Sequence, residues 1–180
     1  DLPVVLYAPS LDIKLLFDAI DRGILDILKK MKYCNFLIKL HPSLASRRHY
    51  ITSFFKQQLK FEEHILIDEL SGIQNLAEES SLLIADFGSI GCEYRIRFGK
   101  RVVFLETPKE YEGGPDLLFR DNFADEICRV EDLENAIGNV IKKGTLTNYE
   151  KKEMCQQVLS FSGEADREAA LTIDKICSKL

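Results

Sequence analysis

An α/β fold, a doubly wound parallel sheet, is predicted by three features of the sequence. Apolar runs of strand length alternate with helical stripes about six times, the pattern of successive βαβ units. Neither an internal repeat nor a low-complexity linker interrupts the alternation. The stretch Ser81 to Leu105, SLLIADFGSIGCEYRIRFGKRVVFL, reads as strand, tight turn, helix, strand, and a right-handed crossover of that size makes its two strands parallel neighbours.

Pro3 to Ala8, PVVLYA, is a buried-strand run stopped by Pro9, with Ser10 placed to cap a helix. Apolar residues at Ile13, Leu16, Phe17, Ile20, Ile24, Ile27, Leu28 and Met31 keep one stripe, which predicts a single long helix over Leu11 to Met31. Asn35 to Leu40, NFLIKL, is a second strand ended by His41-Pro42. A helix over Ser46 to Leu59 follows, with Arg47 and Arg48 in its first turn, where positive charge opposes the helix dipole. These arginines are solvated there or face an acidic neighbour.

His64 to Asp68 is the third strand, and Ser71 caps a short helix carrying Ile73, Leu76 and Ala77. Leu82 to Ala85 and Arg101 to Leu105 flank a helix over Ile90 to Phe98. Glu106 to Asn122, with Pro108, Gly113, Gly114 and Pro115, is an irregular loop; it closes over a ligand or is a plain surface loop. Ala124 to Val130 is an edge strand, Glu131 to Lys143 a helix, and the tail Asn148 to Leu180 two helices broken near Ser162-Gly163.

At 180 residues the chain suits one well-buried domain. Hydrophobic residues make up 46% and charged residues 29%, ordinary for a soluble globular protein. The net charge, 24 − 29 = −5, is wrong for a general nucleic-acid binder and leaves a local phosphate site open. Cys34, Cys92, Cys128, Cys155 and Cys177 are scattered without CxxC spacing, which predicts reduced thiols and a cytoplasmic setting. No apolar run reaches the roughly 18 residues of a membrane span. The start at Asp1, entering a strand almost at once, reads as a domain excised from a longer protein.

Ligands of open α/β sheets bind along the carboxyl edge of the strands. Pro9-Ser10, His41-Pro42, Asp68 to Ser71 and Asp86 to Ser89 all fall there. Gly88 lets the backbone approach a ligand, Ser89 is placed to cap the helix, and the first free N–H groups of that helix point at an anion, for which phosphate is the natural guest. Glu93, one turn beyond Ser89, can accept hydrogen bonds from a pair of sugar hydroxyls. His41 either neutralises charge on a departing nucleotide as an imidazolium or is a strand-end histidine bonded to backbone. A negative Asp86 would repel a diphosphate, so it is expected to bond loop backbone and support the turn rather than touch the ligand. The dinucleotide fingerprint GxGxxG is absent after the first strand, where the sequence is YAPSLD. With no Asp-x-Asp pair and no cluster of metal-ligand spacing, neither a metal nor a resident cofactor is expected.

The blocks LYAPS, IKLHP and LLIADFGSIGCEY, with FGKRVVFLE behind them and SGEADRE in the tail, resemble the C-terminal donor domain of the CDP-glycerol glycerophosphotransferase family, enzymes of teichoic-acid-type polymer synthesis. The resemblance implies a Rossmann-like C-terminal half of a GT-B fold, a single donor-binding domain over residues 1–180 with C-terminal helices over 148–180. It also implies a missing N-terminal acceptor domain, a polymer or glycan acceptor, and a cytoplasmic enzyme peripheral to the inner face of the membrane. CDP-glycerol would be the donor substrate: the helix start at Gly88, Ser89, Ile90 and Gly91 would cradle its diphosphate, with Pro9, Ser10 and Pro42 lining the crevice. The loop near Leu70 would read the base, Glu93 would hold the ribose, and His41 would face the phosphate being transferred. The family's Asp-Tyr-Ser-Ser reads Asp86-Phe87-Gly88-Ser89 here, and its Gly-Lys-Pro reads Gly99-Lys100-Arg101. DFGSIGCE is about as close to the turn of UDP-N-acetylglucosamine 2-epimerases, which leaves a UDP-sugar glycosyltransferase or epimerase, or an inactive nucleotide-binding module, as alternatives.

Overall fold

The computed structural model of the chain describes residues 2–108, 120–158, 167 and 169–171. Six strands, β1 (Val4–Tyr7), β2 (Asn35–Ile38), β3 (Ile65–Ile67), β4 (Leu82–Ala85), β5 (Arg101–Leu105) and β6 (Glu126–Cys128), form one sheet in the order β3-β2-β1-β4-β5-β6. Every pairing is parallel. This is the doubly wound order, in which the chain switches direction between β1 and β4 and leaves a crevice outside their carboxyl ends.

Helices cover both faces. On one lie α1 (Ile13–Asp21), α2 (Ile24–Lys30), α3 (Pro42–Arg47), α4 (His49–Gln58) and α7 (Leu133–Lys142), packed over Val5, Tyr7, Phe36, Ile38, Ile84 and Val103. On the other, α5 (Ile73–Glu79) and α6 (Ile90–Phe98) bury Leu76, Ala77 and Tyr94 against Leu6, Leu83, Val102 and Phe104. Burial on both faces is why β4 and β5 read as unbroken apolar runs, since all their residues are buried.

Several boundaries differ from those the sequence predicts. The expected long helix is two, because Gly23 takes φ +86° and its N–H closes on the Ile20 carbonyl at 2.9 Å. The stripe survives the break because Ile20 and Ile24 keep helical spacing across it. The cap of α1 is Asp12, not Ser10: its carboxylate accepts from the N–H of Lys14 at 2.8 Å and Leu15 at 3.3 Å. The helix expected from Ser46 is also two, α3 starting with Pro42 at its first position and α4 following. Arg47 therefore lies in the last turn of α3, where its charge complements the dipole. Gly72, not Ser71, precedes α5. The expected edge strand shrinks to β6, and a 3-10 turn Val130–Asp132 precedes α7.

The described chain divides into two compact units, Asp1–Leu146 and Thr147–Leu180. In the second, α8 (Asn148–Val158) opens with a capping box: Thr147 N–H donates to Glu150 Oε2 at 2.7 Å, and Glu150 N–H to Thr147 Oγ1 at 3.2 Å. The Gly113-Gly114-Pro115 segment, the break near Ser162-Gly163 and most of SGEADRE lie outside the described residues. Among the described residues no helix is long and apolar enough to cross a membrane.

Candidate functional site

A cavity of about 1160 Å³ opens at the carboxyl ends of β1 to β4, where the strand order reverses. It is lined by Pro9, Ser10, His41, Pro42, Leu70, Gly88, Ser89, Ile90 and Glu93, so the fold gathers the candidate residues from four loops. Asp86 and Gly91 are not among the residues that line it.

Gly88 carries φ +96°, a conformation that costs a side-chain-bearing residue about 1–2 kcal/mol. Ser89 returns to the right-handed region and α6 begins, leaving the first N–H groups of a nine-residue helix without helical acceptors. Ser89 is not a side-chain cap. Its hydroxyl instead donates to Glu93 Oε1 at 2.6 Å, so the carboxylate expected to be open is engaged in the free chain. Gly91 faces the sheet: a Cβ there would sit 2.1 Å from Cζ of Phe104 on β5, so this glycine permits helix–strand contact and is not a cavity residue.

His41 is the N-cap of α3 and its Nδ1 accepts the Ser43 N–H at 3.2 Å. That bond needs the Nδ1 lone pair, which puts the proton of the neutral ring on Nε2. An imidazolium, one of the two readings of the sequence, would have to give up this cap; the neutral ring keeps it and offers one donor.

Asp86 is 4% exposed, and its Oδ1 accepts the N–H of Ser10 at 2.8 Å and of Phe87 at 2.6 Å, tying the loop after β1 to the loop after β4. Burial pushes its carboxyl up to about 6, against the opposing pull of those N–H groups. The buried Tyr7 phenol is raised too, first by burial and then by the Asp86 charge. The folded state thus holds the Asp86 proton more tightly than the unfolded state. Its contribution favours folding at low pH and is lost as pH rises from about 4 through about 6. Asp86→Asn, which keeps an acceptor for both N–H groups, is expected to raise stability at pH 7.5 by up to about 3 kcal/mol and to leave it unchanged near pH 4. Urea unfolding of both chains at the two pH values checks this; parallel pH profiles would contradict it.

Lys39, His49, Thr52 and Asp68 also line the cavity. Lys39 Nζ lies 3.2 Å from Asp68 Oδ1, and Asp68 further accepts the N–H of Ser71 at 2.7 Å and its hydroxyl at 2.8 Å. Burial alone would raise this carboxyl, but the Ser71 and Lys39 hydrogen bonds together hold it below its ordinary value. From the sequence His49 reads as structural or exposed, and nothing there singles out Lys39 or Thr52. His64 serves the core instead, its Nε2 pairing with the Leu28 carbonyl at 3.1 Å. Among the described residues no group of three metal-ligating side chains occurs.

Neither a protein-family model nor a curated protein sequence matches the chain. Solved structures do. A UDP-GlcNAc 2-epimerase from Neisseria meningitidis bound to UDP-GlcNAc aligns over 88% of this chain and 45% of its own, with a TM-score of 0.55 and 17% identity. The S. aureus protein MnaA, in a structure with UDP, aligns over 78% of this chain and 38% of its own, with a TM-score of 0.55 and 16% identity. The spinosyn rhamnosyltransferase SpnG, complexed with spinosyn aglycone, covers 78% of this chain and 37% of its own at a TM-score of 0.55 and 14% identity. The chain therefore spans less than half the length of each of these proteins, and its architecture is the Rossmann-like α/β half of a GT-B fold.

Proposed function

We propose that the chain binds the nucleoside diphosphate portion of an activated sugar donor, as the donor half of a two-domain GT-B enzyme. Its main support is the convergence of Gly88 to Ile90, Glu93, His41 and the loop at Leu70 on one cavity at the switch point of the sheet. The diphosphate sits against the start of α6, where N–H groups and the helix dipole offset its charge. Glu93 exchanges its Ser89 partner for ribose hydroxyls, and the Nε2–H of His41 donates to a phosphoryl oxygen. Charge that builds on the departing nucleotide meets donors already in place. The acceptor and the residue that takes its proton belong to the other domain.

The likeness to a UDP-GlcNAc 2-epimerase and to a protein solved with UDP favours a sugar donor. Transfer of glycerol phosphate from CDP-glycerol is the second reading, supported by the order and spacing of the blocks LYAPS, IKLHP and LLIADFGSIGCEY.

Calorimetric titration with UDP, CDP, ADP and GDP tests the proposal. One pyrimidine nucleotide is expected to bind, and Glu93→Ala and His41→Ala each to weaken it about tenfold. UDP preference supports the sugar donor and CDP preference the polyol phosphate; binding of none of the four would overturn both. Because His41 also caps α3, the alanine chain is checked for a retained fold before titration.

A further inference from the structure

Thr52, on α4, lines the cavity and is only 5% exposed. Its Oγ1 is covered and has no hydrogen-bond partner among the described residues. An unmatched buried hydroxyl is a net loss of stability, and valine would fill the same volume without it. The usual escape for a helical threonine, a bond to the carbonyl one turn back, is not taken. Among the described residues the other unmatched buried hydroxyl is that of Tyr7, which does not line the cavity.

Position narrows the guest. The α3–α4 pair connects β2 to β3, while the anion-binding start of α6 follows β4. The sheet order places β2 two steps and β3 three steps of ~4.8 Å from β4, about 10–14 Å along the edge. A group engaging Thr52 together with the α6 cradle is therefore longer than a diphosphate. On the β3 side, Ile67 and the 98% exposed Leu70 offer apolar surface, and the Lys39–Asp68–Ser71 bonds fix the loop that carries Leu70. Apolar faces beside one hydroxyl that both donates and accepts suit a flat heterocycle with a polar edge.

We infer that Thr52 is a specificity-determining residue for the nucleoside end of the donor, its hydroxyl pairing with the polar edge of the base. This rests on the nucleotide reading above. Threonine in a helix has two χ1 wells, so a rotation re-aims the hydroxyl when the base arrives.

Thr52→Val and Thr52→Ser, titrated with UDP, CDP and inorganic pyrophosphate beside the unaltered chain, decide it. Valine is expected to weaken the preferred nucleotide about tenfold, leave pyrophosphate unchanged and raise the melting temperature by about 2–4 °C. Serine keeps nucleotide affinity within about twofold of the unaltered chain. Undiminished nucleotide binding by the valine chain, equal weakening of pyrophosphate, or a lowered melting temperature would each overturn the inference. If the unaltered chain holds pyrophosphate but no nucleotide more tightly, the nucleotide reading itself falls, and this assignment with it.

Discussion

Asp125→Ala is expected to cost about 3–5 kcal/mol of folding stability, because it removes the shared anion of a buried charge cluster. The Asp125 carboxylate is 4% exposed and takes three donors: the Arg95 guanidinium from α6, Arg101 Nη1 at 2.7 Å, and the N–H of Val102 at 2.8 Å. Alanine would remove the carboxylate that two largely buried guanidinium groups share. The loss would also reach the site, because Arg95 anchors the second half of the helix whose first turn faces the cavity. Urea unfolding reads the effect as a fall in midpoint at unchanged slope. A loss under about 1 kcal/mol would mean that the cluster behaves as a solvated surface pair.

Gly91→Ala is expected to cost about 2 kcal/mol even though alanine is the better helix former. The new Cβ meets the Phe104 ring at 2.1, 2.7 and 3.1 Å, and Phe104 is fully buried on β5. Either α6 lifts from the sheet, displacing Gly88 to Ile90, or the ring is forced off its rotamer. Phe104→Leu in the same chain should recover part of the loss, since the two positions share one contact and their effects do not add. A Gly91→Ala chain as stable as the unaltered one would show that the contact is loose. The result separates packing from ligand contact, the role that the family resemblance implies for this glycine.

The strands were legible because both faces of the sheet are covered, so LLIA and RVVFL are apolar at every position or close to it. Their parallel order followed from the short crossover at α6. The helix breaks were not legible. Gly23 sits inside a stripe that continues past it, and His41-Pro42, a strand stop by sequence, is also a helix start. At the site, the carboxyl edge was readable from strand order alone. The Ser89–Glu93 bond, the Nδ1 cap of His41 and the orphan hydroxyl of Thr52 depend on side-chain directions that periodicity does not encode. Thr52 also stands beside the apolar positions Ile51 and Phe55, where it passes for a core residue.

Whether a nucleoside diphosphate is held across the β1 to β4 edge is read most directly by titrating the unaltered chain with UDP and CDP while following backbone amide resonances. Saturable shifts are expected at Gly88 to Gly91 and at the loop Asp68 to Gly72, with the amides of α7 unmoved. Shifts confined to other surfaces, or none at millimolar nucleotide, would contradict donor binding at this edge.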